Sequence, residues 1–434
     1  MPSGPLPMES ATTRGQPGAL AAIAAMVSGY VPHAVLLVGP ASSGKTTLAL
    51  DLAAALLCLH PDRAARPCRA CRGCRLVASG NHPDLHRLAP EGPGREVRIG
   101  KAGDPEPGTI RHLIGELALL PVEGGARVAI VEQAHRINDD AQNALLKMLE
   151  EPPAGVTIVL CADEEECLLP TVRSRCVRVR LGPVAGREIE RWLGELGAAD
   201  APSAARYARL ASGCPGLALA YARAPEAARL RGEMARGLLD LLTAGRHERL
   251  TSVRALMTSA AALEAALDEG RKDGAGAGDG AGEGAGNAGS PATGRRRKKA
   301  AAAAAAPAAP SNESGEGELD GPVESAAPKA SATERRAAAS ALLAIWASVA
   351  RDLAVAALGG RRHVHDPELL DELAAVAPTL PRGAMPAFLT QLAAVEAQID
   401  ENVNPELALD VLALAWPRPG GNLTPGATRR VAAS

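Results

Sequence analysis

Val35-Leu-Leu-Val38-Gly39-Pro-Ala-Ser-Ser-Gly44-Lys45-Thr46-Thr47 is the stretch that decides how this chain is read. The apolar run Val35–Val38 predicts a buried strand, and TLALDLAAALL behind the glycines is compatible with a helix. Between them the residues from Gly39 to Thr46 fit G-x-x-x-x-G-K-[ST], a phosphate-binding loop in the strand–turn–helix context that such a loop requires. Glycines let the backbone N–H groups wrap a polyphosphate. Gly39, Pro40, Ser43, Gly44, Lys45, Thr46 and Thr47 are therefore the expected binding residues. Lys45 would reach the β/γ oxygens and Thr46 would offer its hydroxyl to Mg2+, which makes ATP or ADP with Mg2+ the expected cofactor.

The whole sequence, at 434 residues, is long enough for two or three domains. With one Phe, three Tyr and three Trp, its cores must be built from Leu, Val, Ala and Ile, which favours packed helices. The net charge of −2 predicts no strong overall attraction to nucleic acid or membrane. Residues 1–17 lack the apolar stretch of a signal peptide, and apolar runs elsewhere are broken by charge or proline. A cytoplasmic location and no membrane partner are expected. In a reducing compartment, clustered cysteines read as metal ligands before disulfides.

Working outward, residues 1–14 are expected to be a disordered lead, and residues 15–30 a short amphipathic helix. Behind the helix that follows the loop come Cys58, Cys68, Cys71 and Cys74, spaced x9, x2 and x2. This matches a four-cysteine zinc module over residues 58–74, and four thiolates leave no open position for catalysis, so the zinc is expected to be structural. His60 and His82 are expected to be bystanders. Strands are predicted at Asp84–Leu88, Arg127–Val131, Val156–Leu160 and Val177–Leu181, with helices over Thr109–Leu120 and from Asn138 to the Pro152-Pro153 stop. Alternating strands and helices after a phosphate loop mean an α/β domain with a mostly parallel sheet over residues 15–182. The strand Arg127–Val131 ends in Glu132-Gln133, where a Walker B element belongs.

Residues 223–269 are helix-like. Residues 270–333 then dissolve into a Gly/Ala-rich stretch, the basic cluster Arg295–Lys299, an alanine run and an acidic stretch. Such a composition cannot bury enough apolar surface to offset its chain entropy, so a disordered insertion is expected. The basic cluster reads as a solvated tether more readily than as a DNA contact. Helical patterning returns over residues 334–417, and residues 418–434 are expected to be a disordered tail.

The phosphate loop, the four-cysteine module behind it, Asn143-Ala-Leu-Leu-Lys-Met-Leu-Glu-Glu-Pro-Pro153 and Ser174-Arg175-Cys176 occur in an order that resembles the clamp-loader AAA+ family of bacterial DNA polymerase III. Its delta-prime and gamma/tau members share these elements. The resemblance implies an AAA+ fold, a small helical lid over residues 183–222, and an all-α collar over 223–269 and 334–417. It also implies partners: gamma/tau and delta subunits in a ring that loads the sliding clamp onto primed DNA. Arg175 takes the place of the arginine that reaches into a neighbouring subunit's ATP site.

Three departures separate this chain from an active motor. Glu132 and Gln133 stand where an aspartate and a glutamate belong, and the Gln133 amide cannot accept a proton. Loss of a positioned base costs about 10²- to 10⁴-fold in rate. Cys161-Ala162-Asp163 replaces the hydroxyl that usually precedes the sensor aspartate, and Gly216 replaces the lid arginine of a Gly-x-x-Arg pattern. The resemblance therefore favours a delta-prime-like stator with weak or absent ATPase activity of its own. A gamma/tau-like motor is the alternative, and a free-standing phosphate-loop kinase is disfavoured by the cysteine module and the helical tail.

Overall fold

Alternate side chains of one strand show how the first domain is built. On β1 (Ala34–Val38), Val35 and Leu37 face one core, while Ala34 and Leu36 face another. A strand buried on both faces has no polar face to present, which is why its sequence is a continuous apolar run. The computed structural model describes residues 10–90, 96–101, 103, 105–123, 125–272, 331–400 and 403–420. Most of the expected insertion, the tail and the Arg295–Lys299 cluster lie outside these residues.

The elements of the α/β domain follow as α1 (Pro17–Ser28), β1, α2 (Lys45–Leu56), α3 (Arg72–Ala78), β2 (Leu85–Leu88), α4 (Ile110–Leu117) and β3 (Arg127–Val131). They continue as α5 (Asp139–Glu150), β4 (Val156–Ala162), α6 (Pro170–Arg173) and β5 (Val177–Arg180). The sheet is parallel throughout, in the order β2-β3-β4-β1-β5, with Leu36 opposite Leu160 and Val35 opposite Val177. Helices α1 and α2 cover one face with Ile23, Leu48 and Leu52, and α4 and α5 cover the other with Leu113 and Leu145. Edge strand β5 exposes Arg178 and Arg180, charges that discourage edge-to-edge pairing. The expected parallel α/β architecture is thus present. Its phosphate loop leaves the carboxyl end of β1, beside the end of β4, where ligands of open α/β sheets bind.

The segment expected as a lid holds α7 (Gly186–Glu195), α8 (Ala201–Leu210) and α9 (Pro215–Arg223), and the name lid is kept for it. The segments expected as a collar, so named below, hold α10 (Pro225–Asp240), α11 (Arg246–Lys272), α12 (Ala332–Ala357), α13 (Leu370–Val376), α14 (Ala384–Asp400) and α15 (Pro405–Ala415). Lid and collar share one continuous core, from Leu193 and Tyr221 to Leu342 and Leu409. Trp346, Phe388 and Trp416 meet at its centre with ring centroids 4.5 to 5.6 Å apart. Helix α12 is long and apolar enough to cross a membrane by composition, but it packs against α10, α11 and α14 as the collar's central helix. Arg249, 1% exposed, donates to Leu242 O, Ala413 O and Trp416 O, so the open carbonyls ending α10 and α15 are satisfied by one cation.

At the edges of the expected insertion and lead, more of the chain is ordered than its composition implies. Helix α11 continues to Lys272, and Gly270 lets it approach α9 so closely that a Cβ there would meet Ala220 O at 2.7 Å. The chain re-enters at Ser331, which with Glu334 forms a reciprocal capping box for α12. At the other end of the chain, Thr12 and Thr13 are tied to the buried carboxylate of Asp51 on α2 by four hydrogen bonds of 2.7 to 3.0 Å.

Candidate nucleotide and metal sites

Gly44 closes the phosphate loop at φ +99°, a left-handed conformation open to glycine, and serves as the N-cap of α2. This leaves the N–H groups of Lys45, Thr46 and Thr47 at the start of a helix, where the backbone favours an anion. The Ser43 hydroxyl oxygen is buried and has no hydrogen-bond partner among the described residues. A phosphate would supply one, so the loop's backbone and Ser43 fit the expected polyphosphate. Gly39 is required for another reason: a Cβ there would lie 2.4 Å from Leu181 O.

Lys45 is placed differently from the expectation. It is 8% exposed, and its ammonium donates to Gly39 O at 2.7 Å and Pro40 O at 2.6 Å and pairs with Asp163 Oδ1 at 2.7 Å. An ammonium has three N–H groups. All three are used within the chain, and a phosphate oxygen can gain one only by displacing a present partner. Asp163, quoted in the sequence only as part of a sensor departure, is that lysine's counter-ion. Its own backbone N–H donates to His135 Nδ1 at 3.2 Å, and burial pushes the His135 imidazole below its ordinary value.

Glu132 does sit at the end of β3, but its carboxylate is held by Arg87 of β2, with Nε at 3.0 Å and Nη2 at 2.6 Å. Gln133 follows at φ +52° with an exposed side chain. Burial first, then the Glu132 charge, lifts the Cys161 thiol to about 12, so the thiol is neutral where a sensor hydroxyl would stand. Gly216, in the place of the lid arginine, opens α9 directly against the loop: its N–H donates to Ser42 O at 3.0 Å, and a Cβ would stand 3.0 Å from that same oxygen.

Arg175 follows α6 with its guanidinium about one-third exposed. It donates to Glu150 Oε1 at 2.7 Å, at the end of α5, and to Thr171 O at 2.9 Å. The Ser-Arg-Cys turn and the Leu-Glu-Glu-Pro-Pro helix stop, separate in sequence, therefore meet in one surface ion pair. That restraint on the arginine is legible only in three dimensions.

Cys58, Cys68, Cys71 and Cys74 converge as expected, with all four sulfurs within 4.8 Å of one another. Cys58 and Cys71 sulfurs are 3.9 Å apart, close to the edge of a tetrahedron built on metal–sulfur bonds of about 2.3 Å. Backbone N–H groups of Cys71 and Cys74 point at the sulfurs of Cys68 and Cys71, each at 3.4 Å. Burial raises the Cys71 thiol, but N–H donation from Cys74 and Leu59 and the neighbouring thiols outweigh it and bring it down to about 6. Burial pushes Cys74 well above its ordinary value. This donor set can hold a metal ion. Arg69, from inside the module, pairs with Asp51, so the cluster is fastened to the phosphate-loop helix. His60 and His82 stay outside the group of converging side chains.

The same segment that carries these features is matched elsewhere. Residues 16–185 fit the family model described as DNA polymerase III, delta subunit. The DNA polymerase III subunit delta' of Pseudomonas aeruginosa is 40% identical over 146 residues, 34% of this chain and 42% of that protein. That of Escherichia coli K12 is 35% identical over 198 residues, 46% of this chain and 57% of the relative. The chain spans about half the length of these relatives. Tau and gamma/tau subunits match too, over 24 to 26% of their length. Residues 16–185 thus resemble delta-prime subunits first, with gamma/tau as further relatives. A gamma subunit-related protein of DNA polymerase III from Thermotoga maritima aligns over 90% of this chain and 96% of its own at 16% identity, with a TM-score of 0.37, too loose a fit to carry an argument.

Proposed function

We propose that this chain acts as a delta-prime-like stator in a DNA polymerase III clamp loader. In this reading it joins gamma/tau and delta subunits in a cytoplasmic ring that places the sliding clamp on primed DNA. The observation that carries the stator reading is Lys45, whose three donors are taken by Gly39 O, Pro40 O and Asp163. The absence of a carboxylate at Gln133 and of a cation at Gly216 supports it further. ATP or ADP with Mg2+, where bound, is held by the N–H groups at the start of α2 and by Thr46, without turnover.

Arg175 is the residue this chain supplies to others. Its exposed pair with Glu150 is worth no more than about 1 kcal/mol, because solvent screens it. A phosphate chain in a neighbouring site outcompetes one carboxylate, and a finger of this kind is worth about 10³ to 10⁵ in rate. Zinc in the four-cysteine module holds the segment from Cys58 to Cys74 against α2, a structural task for which the closed thiolate set is suited.

The test is ATP hydrolysis by the purified chain and by the reconstituted complex. Alone, the chain is expected to show negligible turnover; robust hydrolysis that Lys45→Ala abolishes would favour the motor reading instead. In the complex, Arg175→Ala is expected to leave assembly intact and to lower ATPase and clamp loading. Unchanged loading would refute the role in trans.

A further inference from the structure

Lid and collar do not close on each other completely. Between α9, α10, α11 and α12 lies a cleft of about 990 Å³ that reaches Ala41 of the phosphate loop. Among the described residues, five arginines line it, namely Arg136, Arg231, Arg271, Arg336 and Arg351, against a single carboxylate, Glu264. Two of the five have carboxylate partners: Arg271 with Asp268 at 2.8 Å and Arg351 with Asp352 at 3.3 Å. Arg136, Arg231 and Arg336 have none among the described residues.

Arg231 is the informative one. It is 6% exposed, yet the hydrogen bond its guanidinium makes among the described residues goes to a neutral hydroxyl, Ser348 Oγ at 2.9 Å. Buried charges are ordinarily paired, and Arg231 is in no salt bridge among the described residues, in a cleft where arginines outnumber carboxylates, which leaves positive charge for a ligand to neutralise. Arg336 adds a second unpaired guanidinium from the first turns of α12, where the helix dipole also favours negative charge. Arg136 adds a third from the turn after β3.

We propose that this cleft binds a small polyphosphate, a run of linked phosphates such as inorganic tripolyphosphate or the tail of a nucleotide, at a site that borders the phosphate loop at Ala41 but does not use Lys45. Planar guanidinium forks match phosphate oxygens two at a time. The cleft's volume lies at the upper end of the roughly 300 to 1,000 Å³ of small-molecule sites. Its walls carry Cys214 and Ser212 just ahead of Gly216, so a bound anion touches the segment that fastens the lid to Ser42.

The experiment is calorimetric titration of inorganic tripolyphosphate into the full chain and into five variants of it. Binding that survives Lys45→Met, and is weakened at least ten-fold by Arg336→Ala and by Arg136→Ala, is the expected result. Both arginines are at least partly exposed, so these variants keep the core that Arg231→Met would put at risk, and Arg336→Lys should recover part of the affinity. No binding to the Lys45→Met chain, or binding indifferent to the arginine changes, overturns the proposal. A single-stranded oligonucleotide that binds more tightly than tripolyphosphate and depends on the same arginines overturns it in favour of nucleic acid. Tripolyphosphate binding that emerges only after Glu313, Glu316, Glu318, Asp320 and Glu324 are replaced by their amides overturns it as well, since the cleft's occupant would then be the chain's own acidic stretch.

Discussion

Asp163→Asn is expected to tighten binding of ADP to the phosphate loop. In the wild-type chain the Lys45 ammonium has acceptors at 2.6, 2.7 and 2.7 Å, and Asp163 Oδ1 is the charged one of the three. The two carbonyls belong to the loop and travel with it, so the carboxylate is what an incoming phosphate must displace. A hydrogen bond to a charged group contributes about 1.5 to 3 kcal/mol. Asp163 is one-third exposed, and screening by water lowers its share to about 1 to 2 kcal/mol. Removing that competitor predicts about a five- to thirty-fold lower Kd. The asparagine oxygen still accepts from Lys45, and the backbone N–H at this position still donates to His135, so the unliganded fold should lose little. Isothermal titration of ADP with and without Mg2+ reads the affinity directly. The midpoint of thermal unfolding at saturating ADP gives a second reading, because ligand stabilisation grows with the ratio of concentration to Kd. Unchanged affinity would show that Asp163 does not guard the lysine. Weaker binding confined to Mg2+-containing buffer would show that it serves the metal instead.

Three further changes test other parts of the molecule. Cys71→Ser together with Cys74→Ser should reduce bound zinc from about one per chain to none, read by metal analysis of protein purified without chelator, with local folding energy on the order of 10 kcal/mol at stake; metal-free wild-type protein would remove the basis for it. Arg249→Met should destabilise the collar by about 2 to 4 kcal/mol, because several buried carbonyls at the ends of α10 and α15 lose their donor. Urea unfolding followed by tryptophan fluorescence reports this, since Trp346 and Trp416 lie in that core; a midpoint within error of wild type would refute it. Gly216→Arg should fail to restore ATP hydrolysis, because a Cβ at that position sits 3.0 Å from Ser42 O and the lid must shift to admit the side chain; a measurable gain in turnover would contradict the packing argument.

What could be read from the letters was whatever the backbone demands locally. Gly44 must adopt a left-handed φ at the start of α2, four cysteines at x9, x2 and x2 must fold toward one point, and a strand such as β1, buried on both faces, is read from its continuous apolar run. The sheet, the phosphate loop and the metal cluster were therefore legible. The partners were not. Nothing adjacent to Lys45 in sequence names Asp163, and nothing adjacent to Arg175 names Glu150, because both pairs arise from which strand and helix ends lie side by side. Asp51, a lone acid in the apolar run of α2, was a visible oddity whose meaning lay in Thr12, Thr13 and Arg69 on other segments. Ser331-Ala-Thr-Glu334 was a signal in plain view: a capping box marks where α12 resumes, whereas composition alone places that boundary three residues later. Continuity of the lid with the collar was hidden because helical periodicity says that a face is buried, not against what.

The phosphate loop can be understood without any reaction. Gly39 is needed because Leu181 O leaves no room for a Cβ, and Gly44 because of its φ. Lys45 ties two loop carbonyls to the end of β4 through Asp163, and Ser42 O receives the N–H of Gly216 at the start of α9. Each of the motif's fixed glycines, and its lysine, thus has a structural task in joining base to lid. A residue that performs such a task is retained in a working fold whether or not nucleotide is turned over, so the motif's letters are weak evidence for an ATPase. What discriminates is the state of the side chains around it. Here the donors of the lysine are taken, and Gln133 and Gly216, which the proposed reading sets in the places of the base and the lid cation, offer neither a carboxylate nor a charge. In the function proposed above, Arg175, restrained by one screened carboxylate at the surface, is the group that a neighbouring phosphate would recruit at little cost.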